Sequence, residues 1–148
     1  GEARKKGYVR AMTKHNLPVN ENYLYKIKVN GKRDDFKSGY DVGVEFCNRS
    51  DRPRAMFIYN DLSALGFIDA LSKFGLKVPE DVAIIGFDDI SIGRSSVNGL
   101  TSVHQPTDVI GKLAVANLLK MINGKLPDTP ENRSLNPKLV VRESCGAK

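Results

Sequence analysis

Cysteine is scarce in this chain. There are two in 148 residues, Cys47 and Cys145, far apart and without the spacing of metal ligands. No metal cluster is expected, and a reduced, cytoplasmic setting is the default. Cys47 falls in a helical pattern and is expected to pack as a small hydrophobe. Long apolar runs are missing too. None approaches the ~20 residues of a membrane span, so no membrane partner is expected. No signal peptide is visible, and the sequence opens on Gly1-Glu2-Ala3-Arg4, almost inside a helix. It reads as a piece of a longer polypeptide. Clustered charge is also lacking. The net charge is +6, but outside Arg4-Lys5-Lys6 and Lys32-Arg33 the basic residues are scattered. That pattern is a solvated surface rather than a nucleic-acid footprint, and no helix-turn-helix, zinc-finger or RNP pattern is present. Catalytic vocabulary is absent as well. There are two histidines, one at a helix end (His15) and one on a short strand (His104). No Ser or Cys nucleophile motif, P-loop or Gly-x-Gly-x-x-Gly occurs. No catalytic residue and no cofactor are expected.

What is present is enough apolar material for one ordinary domain: 41% hydrophobic against 27% charged residues. A core can form and disorder is excluded. Ala3, Gly7, Tyr8, Ala11 and Met12 recur at helical spacing, and Asn16-Leu17-Pro18 closes that helix. Tyr23–Val29 alternates as a strand, and Asn30-Gly31 is a turn. Asp34 or Asp35 caps a second helix with Phe36, Tyr40, Val44 and Phe46 on one side. Ala55–Tyr59 is an apolar strand, and Asn60 or Asp61 caps a third helix with Leu65, Ile68, Leu71 and Phe74 inward. Asp81–Phe87 is a strand without alternation, as expected when helices cover both faces. Ile90–Gly99 reads as an irregular loop and Leu100–His104 as a short strand. A fourth helix starts at Pro106-Thr107-Asp108, with Ile110, Leu113, Ala114, Leu118, Met121 and Ile122 at core spacing. Lys138–Val141 is the last strand. This alternation predicts an α/β fold with a doubly wound parallel sheet.

In such a sheet, ligands bind at the carboxyl ends of the strands. Two strands run into polar side chains there: one into Asn60-Asp61, the other into Asp88-Asp89. A carboxylate can grip adjacent hydroxyls, and an asparagine can both donate and accept. Asn60 and Asp88 are therefore assigned to binding. Asp61 is assigned mainly to helix capping and Asp89 to a hydrated turn. Asp61, Asp88 and Asp89 together admit a second reading, a Mg²⁺-dependent hydrolase. It lacks the lysine and nucleophile context such an enzyme needs.

Several motifs run in one order along nearly the whole chain. They are Arg4-x-x-Gly7-Tyr8-x-x-Ala11-Met12, then Ser38-Gly39-Tyr40, then Ala55-Met56-Phe57-x-x-Asn60-Asp61-x-x-Ala64-Leu65-Gly66. Val78-Pro79-Glu80-Asp81-Val82-x-x-x-Gly86-Phe87-Asp88-Asp89 follows, then Leu100-Thr101-Ser102-Val103-x-Gln105-Pro106, Ile110-Gly111 and Leu139-Val140-Val141-Arg142-x-Ser144. The ordered set resembles the effector-binding part of the LacI/GalR family of bacterial transcription regulators. The resemblance implies a periplasmic-binding-protein-like fold (type I) of two subdomains around an effector cleft. Residues 1–104 would form most of the C-terminal subdomain. Residues 105–148 would be the crossover with a helix and strand returning toward the N-terminal one. It also implies operator DNA as a partner through an N-terminal helix-turn-helix headpiece that this sequence lacks, and a homodimer. By matching positions, Arg4, Asn60, Asp88 and Gln105 would contact the effector, and Phe36 could stack on it. Leu65, Ile68, Ile90 and Ile92 fall on the dimer surface. The effector would be a sugar or nucleoside, and the basic residues Lys5, Lys6, Lys32 and Arg33 admit a phosphorylated one. A secreted solute-binding protein of the same fold is the other reading. The chain departs from the family at Asn98-Gly99, where proline often stands.

Overall fold

The structure is a computed structural model that describes residues 2–26, 34–94, 99–124 and 133–147. Five helices appear in chain order: α1 Glu2–Lys14, α2 Asp35–Cys47, α3 Asp61–Lys73, the single-turn α4 Ser91–Arg94, and α5 Thr107–Ile122. Four strands interleave with them: β1 Ala55–Phe57, β2 Ala83–Asp88, β3 Thr101–His104 and β4 Lys138–Val140. Two of the helix beginnings carry a side-chain cap. Asp34 caps α2 by accepting the amide of Lys37, and Asn60 caps α3 by accepting that of Ser63. Both satisfy an amide that the helix cannot. Gly75, with φ +76°, follows α3 as the expected stop.

The strands pair in the order β1-β2-β3-β4. β1–β2 and β2–β3 are parallel, while β4 runs antiparallel to β3, with Ser102 opposite Val140. The α/β layering is therefore as predicted, and the sheet is mixed at one edge. The last strand does not leave with α5. It is stitched onto this sheet by Ser144, whose buried hydroxyl donates to the carbonyl of Ile84 and accepts the amide of Thr101, both at 2.8 Å. A two-sided hydroxyl that satisfies two buried backbone groups adds to the pairing of three residues.

The core sits between the sheet and α2–α3. Phe46, Phe67, Leu71, Val82, Ile84 and Leu100 are its largest fully buried apolar members. The rings of Phe46 and Phe67 meet edge to face at 5.2 Å, a favoured aromatic geometry. The inward face of α2 is Gly39, Gly43 and Phe46, while Phe36 is exposed. α2 and α3 approach so closely that a Cβ on Gly39 would overlap the carbonyl of Ser63, and one on Gly66 that of Phe36. On α3 the inward residues are Ala64, Phe67, Ala70 and Leu71; Phe74 is exposed beyond the helix end.

Other expectations change. Residues 21–23 form a 3₁₀ turn and 24–26 no strand, while 27–29 and the Asn30-Gly31 turn lie outside the described residues. The Asn20 side chain caps the turn, and Arg49 donates to the carbonyl of Asn22 beside the rings of Tyr23 and Tyr25. The Asn20 cap offers this backbone a local alternative to a ladder. Within the segment read as an irregular loop, residues 91–94 form α4. α1 and α5 contain no buried residue.

Candidate functional site

Among the described residues β1 is an edge strand, and an open cleft of about 840 Å³ runs along it. One wall is α1 and the segment Tyr23–Lys26; the other is β1 itself. The far end lies at the carboxyl ends of β1 and β2, where Arg4, Tyr59, Asn60 and Asp88 meet. Three residues predicted from sequence to bind a ligand thus reach one place from three elements 28 to 84 positions apart, which sequence spacing does not reveal.

Each of the three is held. The guanidinium of Arg4 lies 3.8 Å above the ring of Phe87 and donates to the carbonyl of Tyr59. Stacking fixes its plane and leaves other N–H groups of the fork available. Asn60 caps α3 through Oδ1, and its Nδ2 donates to Asp35 at 2.9 Å. One N–H and one lone pair remain for a ligand. The hydroxyl of Tyr59 also donates to Asp35. Asp35 therefore orients two cleft residues; the sequence pattern marked it only as a candidate helix cap. Asp88 accepts from Gln105 Nε2 at 2.6 Å through Oδ1. Gln105 does not line the cleft: it steers the Asp88 carboxylate from the crossover. Phe36 does not line it either. The aromatic groups there are Tyr8, Tyr23, Tyr25, Phe57 and Tyr59. Arg4, Lys5 and Lys26 give the cleft a basic lining, with Asp88 the acid among them. Lys32 and Arg33 lie outside the described residues, and Lys6 is exposed.

The two helix-start and strand-end pairs divide differently from the expectation. Asn60 is the cap of α3, while Asp61 is buried at 1% exposure. Its Oδ1 accepts from Ser102 at 2.7 Å and its Oδ2 from the amide of Ile90 at 2.9 Å. Burial pushes the Asp61 carboxyl up, the bonds from Ser102 and Ile90 counter part of that, and nearby Asp88 and Asp89 add to the rise. Asp89 is not hydrated but buried, and three groups converge on it: Arg142 at 2.6 Å, Arg94 at 3.0 Å and His104 at 3.1 Å. Burial pushes its carboxyl up, but these partners, Arg142 foremost, outweigh burial and hold it below the usual carboxylate range. The backbone between is unusual. Asp88 has φ +111° and Asp89 φ +54°, conformations that cost non-glycine residues of order 1–3 kcal/mol each and persist where the surroundings over-determine them.

The three carboxylates point to different partners. Asp61 serves Ser102 and Ile90, Asp88 serves Gln105, and Asp89 serves two arginines and a histidine. Among the described residues no group of three or more His, Cys, Asp or Glu is placed to hold a metal ion. The geometry of a Mg²⁺-dependent hydrolase is not assembled from these acids.

Of the residues assigned to a dimer surface, Leu65, Ile68 and Ile90 are half-buried and Ile92 is 60% exposed. Ile68 also packs against the core. Leu62, 43% exposed, stands beside them on α3. It lies three residues before Leu65, in step with Leu65 and Ile68, and was not among the residues assigned from the sequence.

Residues 1–145 match the family model of the periplasmic binding protein-like domain. The HTH-type transcriptional repressor PurR of Yersinia pestis is 35% identical over 144 residues, spanning 97% of this chain and 40% of the repressor. Among solved structures, a LacI family transcriptional regulator from Lactobacillus casei with bound sucrose superimposes with a TM-score of 0.80 at 31% identity. It covers 97% of this chain and 51% of its own. The transcriptional regulator CelR in complex with cellobiose gives a TM-score of 0.81 at 31% identity, over 95% of this chain and 41% of the regulator. The chain thus spans two fifths to one half of the length of these relatives.

Proposed function

The chain belongs to the periplasmic binding protein-like domain family, and from that premise we propose that it is the effector-sensing part of a LacI-type transcriptional regulator. The observation that carries this reading is the convergence of Arg4, Asn60 and Asp88 at the carboxyl ends of β1 and β2. A hydroxyl-rich small molecule suits the three. Asp88 accepts from adjacent hydroxyls, Asn60 donates and accepts, and the Arg4 fork donates. Relatives with bound sucrose and cellobiose support a sugar, and the PurR relatives leave a nucleoside open. The basic lining from Arg4, Lys5 and Lys26 suits a phosphorylated form.

A second subdomain of the whole protein completes the cleft. Binding then shifts a population between two cleft geometries, and a DNA-binding headpiece reads the shift through a homodimer. Leu62, Leu65, Ile68, Ile90 and Ile92 form the apolar patch that suits that dimer. The setting is cytoplasmic; no described helix is long and apolar enough to cross a membrane. The domain division follows α5, which stands apart from this core, while β4 belongs with it.

The test is made in the full-length protein. Operator affinity is measured with and without sucrose, cellobiose, glucose 6-phosphate and adenosine. Asp88→Ala removes the response to the active compound, a loss of at least about tenfold in its affinity, and leaves ligand-free DNA binding unchanged. A mutant that responds as wild type does overturns the assignment. A protein with a signal peptide and no affinity for DNA would be a solute-binding protein instead.

A further inference from the structure

Among the described residues Asp61 is the most buried acid, at 1% exposure, and it does not line the cleft. Both its oxygens serve the turn that follows Asp88. Oδ2 accepts the amide of Ile90 directly. Oδ1 accepts the hydroxyl of Ser102, whose oxygen in turn accepts the amide of Asp89 at 3.0 Å. One carboxylate thus holds two successive amides, one of them through a hydroxyl. Those amides belong to the stretch in which Asp88 and Asp89 both have positive φ. β2 is shaped to admit this contact, because a Cβ on Gly86 would overlap Asp61 Oδ1.

Asp61 is also the first residue of α3. Its neighbour Asn60 lines the cleft, and the same helix carries Leu62, Leu65 and Ile68. The negative charge is well placed at that helix's N-terminus. The Asp88 turn is thus joined to α3 by hydrogen bonds to the Asp61 carboxylate, alongside the contacts of Asp89 with Arg94, His104 and Arg142.

We propose that Asp61 and Ser102 are positioning residues: they set where the Asp88 carboxylate stands in the cleft and pass its displacement to the N-terminus of α3. This rests on the reading of Asp88 as an effector contact. Asp61 and Ser102 do not themselves touch the effector. Coupling through a contiguous network requires its own measurement, and Ser102 is the link whose removal takes out least volume.

The experiment compares wild type, Ser102→Ala, Ser102→Thr, Asp61→Asn and the Asp61→Asn/Ser102→Ala double variant in the full-length protein. Amide exchange is measured without ligand, and affinity for the active member of the four compounds above is measured with operator response. In Ser102→Ala, exchange at Asp89 accelerates about tenfold or more while Ile84 in β2 keeps its protection. Effector affinity falls about tenfold, and Ser102→Thr, which keeps the hydroxyl, restores it. The double variant is no worse than Asp61→Asn alone, since the two act in series. A folded Ser102→Ala with wild-type exchange at Asp89 overturns the proposal, as does one with wild-type affinity. If Ser102→Ala does not fold, Asp61→Asn is judged by the same criteria; if neither folds, the pair is structural only and the proposal fails. If wild type answers none of the compounds, the effector reading falls and takes this one with it. A responsive wild type beside an equally responsive Ser102→Ala removes this one alone.

Discussion

Asp89 shows how much one side chain can carry. It joins the end of β2 to α4 through Arg94, to β3 through His104 and to the C-terminal segment through Arg142. Arg94 is half exposed, so its share is small; the pair with Arg142 dominates. Because the folded-state pKa of Asp89 lies below its unfolded value, its stabilisation is complete above the unfolded value of about 3.9. It is lost as pH falls through the folded value. Asp89→Ala should cost about 2 kcal/mol near neutral pH, because it leaves the part-buried Arg142 guanidinium without its carboxylate partner. The difference from wild type should shrink in acid below about pH 4. Urea unfolding at a series of pH values measures this, and a difference that grows toward acid would contradict it. Asp61 has the opposite sign. Its pKa is raised, so its burial is least costly when it is protonated, and its contribution falls as pH rises through the folded value. The sequence placed both acids at element ends. It did not show which was buried, because that depends on Ser102 and Arg142, which lie 13 or more positions away.

At the scale of elements, periodicity and caps located the helices well. α1, α2, α3 and α5 all fall where apolar spacing and capping residues placed them; β1, β3 and β4 lie within the predicted apolar stretches, and β2 runs one residue past its own, to Asp88. The inward faces were read less well. The close side of α2 is set by glycine, which carries no apolar signal, so Phe36, Tyr40 and Val44 were favoured over Gly39 and Gly43. The contact of α2 with α3 tests this. Gly39→Ala forces a methyl group onto the carbonyl of Ser63, a backbone atom that cannot swing aside. The expected loss is about 3 kcal/mol, seen as a lower melting temperature, whereas an exposed helical Gly7→Ala, with open space around it, should gain up to about 1 kcal/mol. A tolerated Gly39→Ala would mean that the two helices separate more easily than their packing implies.

At the scale of the whole molecule, α5 is the element out of place. Ile110, Leu118, Leu119 and Ile122 are all 45% exposed or more, and no residue of the helix is buried. Apolar side chains in that density seek cover. The 148-residue chain alone should therefore self-associate, and Leu118→Lys with Ile122→Lys should weaken association by roughly tenfold or more. The melting temperature should hold, since neither side chain packs on the rest. Sedimentation velocity over a concentration series reads the first effect. A chain that stays monomeric without the substitutions would show that α5 needs no cover.

The division between sequence and tertiary structure follows from the range of the interactions. Apolar spacing, caps and turn residues act over a few positions, so the sequence by itself determined the order of elements, the α/β class and the pair of strand ends where polar side chains gather. Its ordered motifs also pointed to the family. What the tertiary structure decided are the contacts that join distant positions. It made Asn60 the cap and buried Asp61 against Ser102 and Ile90, joined Gln105 to Asp88, and brought in Asp35, Ser102 and Arg142. Which oxygen a buried proton donor reaches is settled only when elements 13 to 60 positions apart have packed.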